Sequence, residues 1–157
     1  MSAFIDTSAF YAVLDADDDR HGDARAEWER LLTGDETLHT TNYVLVETAA
    51  LLQNRLGFDG LRTLTADVLP VINVVWIDEG MHRSAWHALL VSSRRSLSLV
   101  DCTSFEAMRR RGLDRAFCSM STLLNRDFRY CQHSPSVTPP GGVSRTGLGR
   151  LQARASS

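Results

Sequence analysis

The sequence predicts a single α/β domain with a central, mainly parallel sheet. Two observations carry this prediction. Short apolar, β-leaning runs alternate along the chain with segments whose apolar residues recur at helical spacing. In addition, 157 residues at 43 % hydrophobic content can bury one core without disulfide or metal support.

Each element has its own signal. Ser2–Ile5 reads as the opening strand, with Asp6 at its carboxyl end. Ala9–Leu14 reads as a helix capped by Thr7 or Ser8, followed by an acidic, solvated connection over Asp15–Asp19. Ala24, Trp28, Leu31 and Leu32 fall on one helical face, and Gly34 stops it. Thr37–Thr41 leans to strand. Asn42 is placed to cap a helix over Tyr43–Leu56, closed by Gly57. Leu61, Leu64 and Val68 predict a further helix ended by Pro70, and Val71–Ile77 is the clearest strand. Met81–Val91 has helical spacing. Leu97–Val100 is a short apolar run ending at Asp101, and Thr103-Ser104-Phe105-Glu106 matches a capping box for a helix that stops at Gly112. Beyond about Phe117 the pattern fails. Pro135, Pro139-Pro140-Gly141-Gly142 and Ser144–Ser157 predict a disordered tail, which sets the domain at residues 1–130 and the tail at 131–157.

Composition narrows the function. No apolar run approaches the ~20 residues needed to span a bilayer, and Met1-Ser2-Ala3-Phe4-Ile5-Asp6 lacks the basic region of a signal peptide. Cys102, Cys118 and Cys131 form no C-x-x-C pair and read as thiols of a cytoplasmic protein. Residues 1–80 hold five arginines against fifteen acids, and residues 81–157 hold twelve arginines against four acids. The chain has no lysine, so every basic side chain is a guanidinium, the better bidentate partner for phosphate. A basic half beside an acidic half suits a nucleic-acid ligand held near carboxylates, while arginine-only usage also follows from a GC-rich gene.

Three acids stand out. Asp6 and Asp101 each end a short apolar run and precede a helix, and ligands of open α/β sheets bind beyond the carboxyl ends of strands. Glu47 lies amid Val44, Leu45, Val46, Ala49, Ala50, Leu51 and Leu52, where a buried, unpaired carboxylate would be costly. Converging carboxylates repel unless a cation neutralises them, and oxygen ligands without His or Cys favour Mg²⁺ or Mn²⁺. Taken singly, Asp6 also reads as an Asx-turn residue, Asp101 as a helix cap and Glu47 as an exposed helical acid.

The segments around these acids resemble one family. Phe4-Ile5-Asp6-Thr7-Ser8-Ala9-Phe10-Tyr11-Ala12 resembles the opening of PIN-domain nucleases. Thr41-Asn42-Tyr43-Val44-Leu45-Val46-Glu47-Thr48 resembles the element that delivers their glutamate. Leu97-Ser98-Leu99-Val100-Asp101-Cys102-Thr103-Ser104-Phe105 resembles the third, most specific motif. The resemblance covers about residues 1–117. It implies a three-layer α/β/α fold and RNA cleavage by a divalent metal on Asp6, Glu47 and Asp101. It also implies a VapC-like toxin role with a cognate antitoxin, and often a homodimer. Arg94, Arg95, Arg109, Arg110, Arg111 and Arg115 are then candidates for RNA phosphates or the antitoxin. Thr7 and Ser8 are candidates for positioning water or a carboxylate, with a local cap as the plainer reading.

The chain departs from the family after Phe117. The usual F-D-x-x-F acid is missing, and Asp127 in Asn125-Arg126-Asp127-Phe128 is the available substitute. Residues 118–132 can be back-translated, with degenerate bases chosen to fit, and read from the last base of Phe117. They then give Leu-Leu-Asp-Glu-His-Phe-Ala-Glu-Gln-Gly-Phe-Pro-Val-Leu, which restores such a motif. The expectation is a frameshift after Phe117. This keeps open a second reading, a PIN-fold module that engages an antitoxin without cleaving RNA. A haloacid-dehalogenase-type phosphatase fits less well. It needs a second Asp where Ser8 stands, and a lysine. The histidines at 21, 39, 82, 87 and 133 show no ligand spacing, and Trp28, Trp76 and Trp86 read as core rather than as base-stacking platforms.

Overall fold

The computed structural model describes residues 1–118. Strand β1 (Ser2–Ile5) leads into helix α1 (Thr7–Leu14), then α2 (His21–Thr33), β2 (Thr37–Thr41), α3 (Asn42–Arg55) and α4 (Gly57–Thr63). A π-helical turn (Leu64–Val68) and a 3₁₀ turn (Leu69–Val71) reach β3 (Ile72–Val75). Helices α5 (Glu79–Ser92) and α6 (Leu99–Arg111) precede β4 (Ala116–Phe117). The strands form a four-stranded parallel sheet in the order β3-β2-β1-β4. The expected α/β class and parallel sheet are present, with helices packed around the sheet.

Burial explains the order of the strands. In β1, Ala3, Phe4 and Ile5 are all buried, as a strand covered on both faces requires. Ser2 pairs with Thr37 on one side and Phe4 with Ala116 on the other. Phe4, Ile5, Phe10, Leu31, Leu52 and Met108 are fully buried, each contributing about 1.5–3 kcal/mol relative to exposure. Phe10 meets Trp28 edge-to-face at 6.4 Å, tying α1 to α2. Glu36 accepts from Arg30 at 3.1 Å and Arg115 at 2.8 Å, clasping the end of α2 to the approaches of β2 and β4. Arg115 first, then Arg30, holds the Glu36 carboxyl below the usual range.

Several local expectations fail for identifiable reasons. Asp6, not Thr7 or Ser8, is the N-cap of α1, and its side chain makes no capping bond. Thr41, not Asn42, caps α3 by accepting from the Val44 N–H at 3.1 Å. The Asn42 amide oxygen is committed instead to the Ile77 N–H at 2.8 Å. That bond also marks why β3 is shorter than Val71–Ile77. Its last partner in β2 is Thr41, opposite Val75, and the chain then turns away. Asp15 is buried rather than solvated, its carboxylate accepting from the Asp17 N–H at 3.0 Å. Leu97–Val100 is not a strand. Ser98 caps α6 within a reciprocal capping box with Asp101, so the box lies five residues before Thr103-Ser104-Phe105-Glu106. Gly112 does end α6, with φ +64°, a conformation that glycine adopts without cost. Among the described residues no helix is long and apolar enough to cross a membrane.

Candidate active site

Asp6 follows β1 directly, at the carboxyl end of a central parallel strand. Its position is set by the apolar run before it, which the core holds on both faces. The side chain is half-buried and accepts from the Ser8 hydroxyl at 3.2 Å. Burial pushes the Asp6 carboxyl above its ordinary range. The Thr7 N–H opposes that shift, the Asp101 charge reinforces it, and the Ser8 groups oppose it more weakly.

Asp101 reaches this place from the first turn of α6. Its Oδ2 accepts from the Ser98 N–H and the Ser98 hydroxyl, both at 2.7 Å, while the Asp101 N–H donates to Ser98 Oγ at 3.0 Å. Asp101 is therefore a helix-capping residue, and it is also close enough to Asp6 for its charge to be felt. Its other oxygen makes no hydrogen bond among the described residues.

Glu47 comes from the second turn of α3 and is exposed, not buried in its apolar helix. It is held by Thr7, whose hydroxyl donates to Glu47 Oε2 at 2.6 Å. Thr7 is only 8 % exposed, so this bond is made from a fixed, shielded side chain. The sequence alternative of a capping Thr7 is replaced by a bond to an acid forty positions away.

These contacts gather the acids pairwise. Asp6 feels Asp101, and Thr7, the neighbour of Asp6, holds Glu47. Among the described residues no three His, Cys, Asp or Glu side chains stand close enough to enclose a cation. The chemistry of the donors still suits a hard divalent ion. All are carboxylate oxygens, and Asp6 sits where burial and a like charge both disfavour its ionised form. Two buried hydroxyls, of Thr48 beside Glu47 and Ser104 one turn after Asp101, lack hydrogen-bond partners among the described residues. Asp127, the substitute fourth acid, lies outside the described residues.

The arginines divide. Arg109 and Arg110 share Glu106, at 2.8 and 2.7 Å, and Arg115 is engaged by Glu36, so these serve the fold. Arg95 and Arg111 are exposed. Sequence reasoning missed the cluster of Tyr43, His82 and Trp86, which bond to one another on α3 and α5. Only the spacing of His82 and Trp86, one helical turn apart, hinted at it. Trp28 is core as expected, whereas Trp86 is 43 % and Trp76 74 % exposed, against expectation.

Comparison with known proteins identifies the family and the fold. The PIN domain family model matches residues 3–129. The chain is 35 % identical over 115 residues to a 23S rRNA-specific endonuclease, VapC20, of two Mycobacterium tuberculosis strains, CDC 1551 / Oshkosh and H37Rv. The match covers 73 % of this chain and 86 % of each relative. The crystal structure of M. tuberculosis VapC20, described as a sarcin-ricin loop cleaving toxin, superposes with a TM-score of 0.69 at 30 % identity. That superposition covers 87 % of this chain and 99 % of the other.

Proposed function

Because this chain belongs to the PIN-domain family, we propose that it is a metal-dependent ribonuclease acting as the toxin of a toxin–antitoxin pair. The observation that carries the reading is Asp6 itself. It is a half-buried acid at the carboxyl end of a central strand, raised in pKa, with Asp101 near enough to add its charge and Glu47 held through the adjacent Thr7. The names of the relatives make large-subunit ribosomal RNA the first substrate to test.

In this reading Asp6, Glu47 and Asp101 hold Mg²⁺ or Mn²⁺. The bound cation would supply Lewis-acid chemistry, activating water and offsetting charge on the phosphodiester. The chain's own residues set the geometry. Thr7 fixes the direction of Glu47, and Ser98 engages one oxygen of Asp101, leaving the other without a hydrogen bond among the described residues. A cognate antitoxin, a homodimer and a cytoplasmic location belong to the same proposal. So do a domain over residues 1–130 and an out-of-frame origin for the segment after Phe117, which resequencing the gene decides.

The test is cleavage of RNA by the purified protein with Mn²⁺, compared with Asp101→Asn. Loss of both Mn²⁺ binding and cleavage in the variant supports the site, and unchanged cleavage overturns it. The second reading, an antitoxin-binding module that cuts nothing, draws on the unclosed acid set among the described residues. It predicts a folded wild-type chain that binds antitoxin and leaves RNA intact with either metal.

A further inference from the structure

After Val75 the chain leaves the sheet, and Trp76 stands exposed at its carboxyl edge. Asp78 caps α5. In the first turn of α5, His82 meets Tyr43 of α3, with Nδ1 and Oη 2.6 Å apart. One turn on, the Trp86 indole N–H donates to His82 Nε2 at 2.9 Å. Because Nε2 accepts, the proton of the neutral imidazole is on Nδ1, which donates to the Tyr43 oxygen. The His82 and Trp86 rings lie 6.2 Å apart at 85°, so the indole is held by its N–H edge and its faces are not used by His82. Tyr43 and Glu47 are four residues apart on α3, hence one turn apart on one face. The row of rings therefore starts beside the acid site and runs onto α5.

Glu47 lies at one end of this row and Glu79 pairs with Arg83, but beyond Glu79 the charge along α5 has one sign. Between Glu79 and Asp101 the sequence has no acid, and it has Arg83, Arg94 and Arg95, with His82 and His87. An exposed indole usually loses rotamer freedom when it is covered. Here the His82 bond has already ordered it, so less is lost on binding. Aromatic faces interleaved with arginine are how unpaired bases of a polyanionic strand are received.

We propose that Trp86, fixed in place by His82 and Tyr43, is a stacking platform for an unpaired RNA base. It extends the substrate track from Glu47 along α5, and the assignment rests on the ribonuclease reading of the acid site. Leu90 and Val91, also exposed on α5, make a second copy of the chain the competing occupant. The absence of acids between Glu79 and Asp101 and the edge-held indole favour RNA.

The experiment measures binding of a short, mixed-sequence, fluorescently labelled single-stranded RNA in EDTA, where metal-dependent cleavage is off. Wild type, Trp86→Ala, Trp86→Leu and Trp86→Phe are compared, with mass by light scattering and cleavage by wild type in Mn²⁺. Trp86→Leu keeps apolar bulk and guards against a misfolded alanine variant. Both Ala and Leu should weaken binding about 5- to 100-fold, the usual effect of losing one stacked base, while Phe keeps most of it. Mass should stay the same throughout. If Trp86→Leu binds as wild type while wild type cleaves, the platform is refuted and the ribonuclease reading survives. A fall from dimer to monomer in Trp86→Ala gives the surface to a second copy and also refutes it. If wild type neither binds nor cleaves, both fall.

Discussion

Thr7→Val removes the hydroxyl that holds Glu47 and leaves the shape of the side chain nearly unchanged. A hydrogen bond to a charged acceptor contributes about 1.5–3 kcal/mol, and the Thr7–Glu47 bond is 2.6 Å long from a donor 8 % exposed. Glu47 is exposed, so once released its carboxylate returns to water, and global stability should fall by about 1 kcal/mol or less. The loss appears at the site instead. A free glutamate side chain must then be ordered when a cation binds, at a cost of about 1.5–2 kcal/mol. At ~1.4 kcal/mol per factor of ten, Mn²⁺ affinity should drop about tenfold, at the low end of the effect of residues that orient metal ligands. Manganese titration followed by electron paramagnetic resonance, on protein without RNA, reads this directly. Thr7→Ser, which keeps the donor, should restore most of the affinity. If Thr7→Val binds Mn²⁺ as tightly as wild type with an unchanged thermal unfolding curve, Thr7 does not position Glu47.

Ser98→Ala should cost about 1 kcal/mol in urea unfolding, because the α6 N-cap is lost. It should also loosen Asp101 and weaken Mn²⁺ binding; a stability loss with unchanged metal affinity would separate the two roles. Tyr11→Phe removes the hydroxyl that is the main cause holding the Asp15 carboxyl below its ordinary range, ahead of the Asp17 N–H. A depressed carboxylate stabilises the fold above its unfolded pKa, and that contribution is lost as pH falls through the folded value. The variant should therefore melt lower than wild type at neutral pH, with the gap closing below about pH 4. Since the hydrogen bond to Asp15 first, and then burial, also raises the Tyr11 hydroxyl, the gap should close again in strong alkali, and a gap independent of pH would exclude this bond as its source.

What the sequence makes legible is what short-range chemistry decides. β1 and β2 stand out because apolar and β-branched residues, Ala3, Phe4 and Ile5 in one and Leu38, Thr40 and Thr41 in the other, are buried in a parallel sheet covered on both faces. Gly112 stands out because a left-handed helix end favours a residue without Cβ, whereas Ser93 ends α5 in the same conformation with no such signal. The acids are legible one at a time, yet nothing local says that Thr7 rather than a backbone group would receive Glu47. The caps are misread where two capping residues adjoin. Thr41 and Asn42 are equally suited, and the choice is made by Ile77, 35 residues away. Asp101 reads as a strand end because Leu97, Leu99 and Val100 are apolar. The Ser98-Leu99-Val100-Asp101 spacing is itself a helix-start pattern and outweighs that apolar run. Trp76 and Trp86 read as core on hydrophobicity alone, and only the end of β3 and the partners of His82 place them at the surface.

The position of β1 has a consequence for the life of the chain. Of the four described strands, β1 comes earliest in the chain and is an inner strand of the sheet, and its two neighbours are completed at Thr41 and Phe117. Synthesis runs at about 5–20 residues per second. For several seconds, then, Asp6 is out on a polypeptide that has nothing to pair with on its outer edge. Long-range parallel pairing is also slow to form once the partners exist. Asp6 and Glu47 are made well before Asp101, so a chain halted before α6 lacks the carboxylate whose charge Asp6 feels.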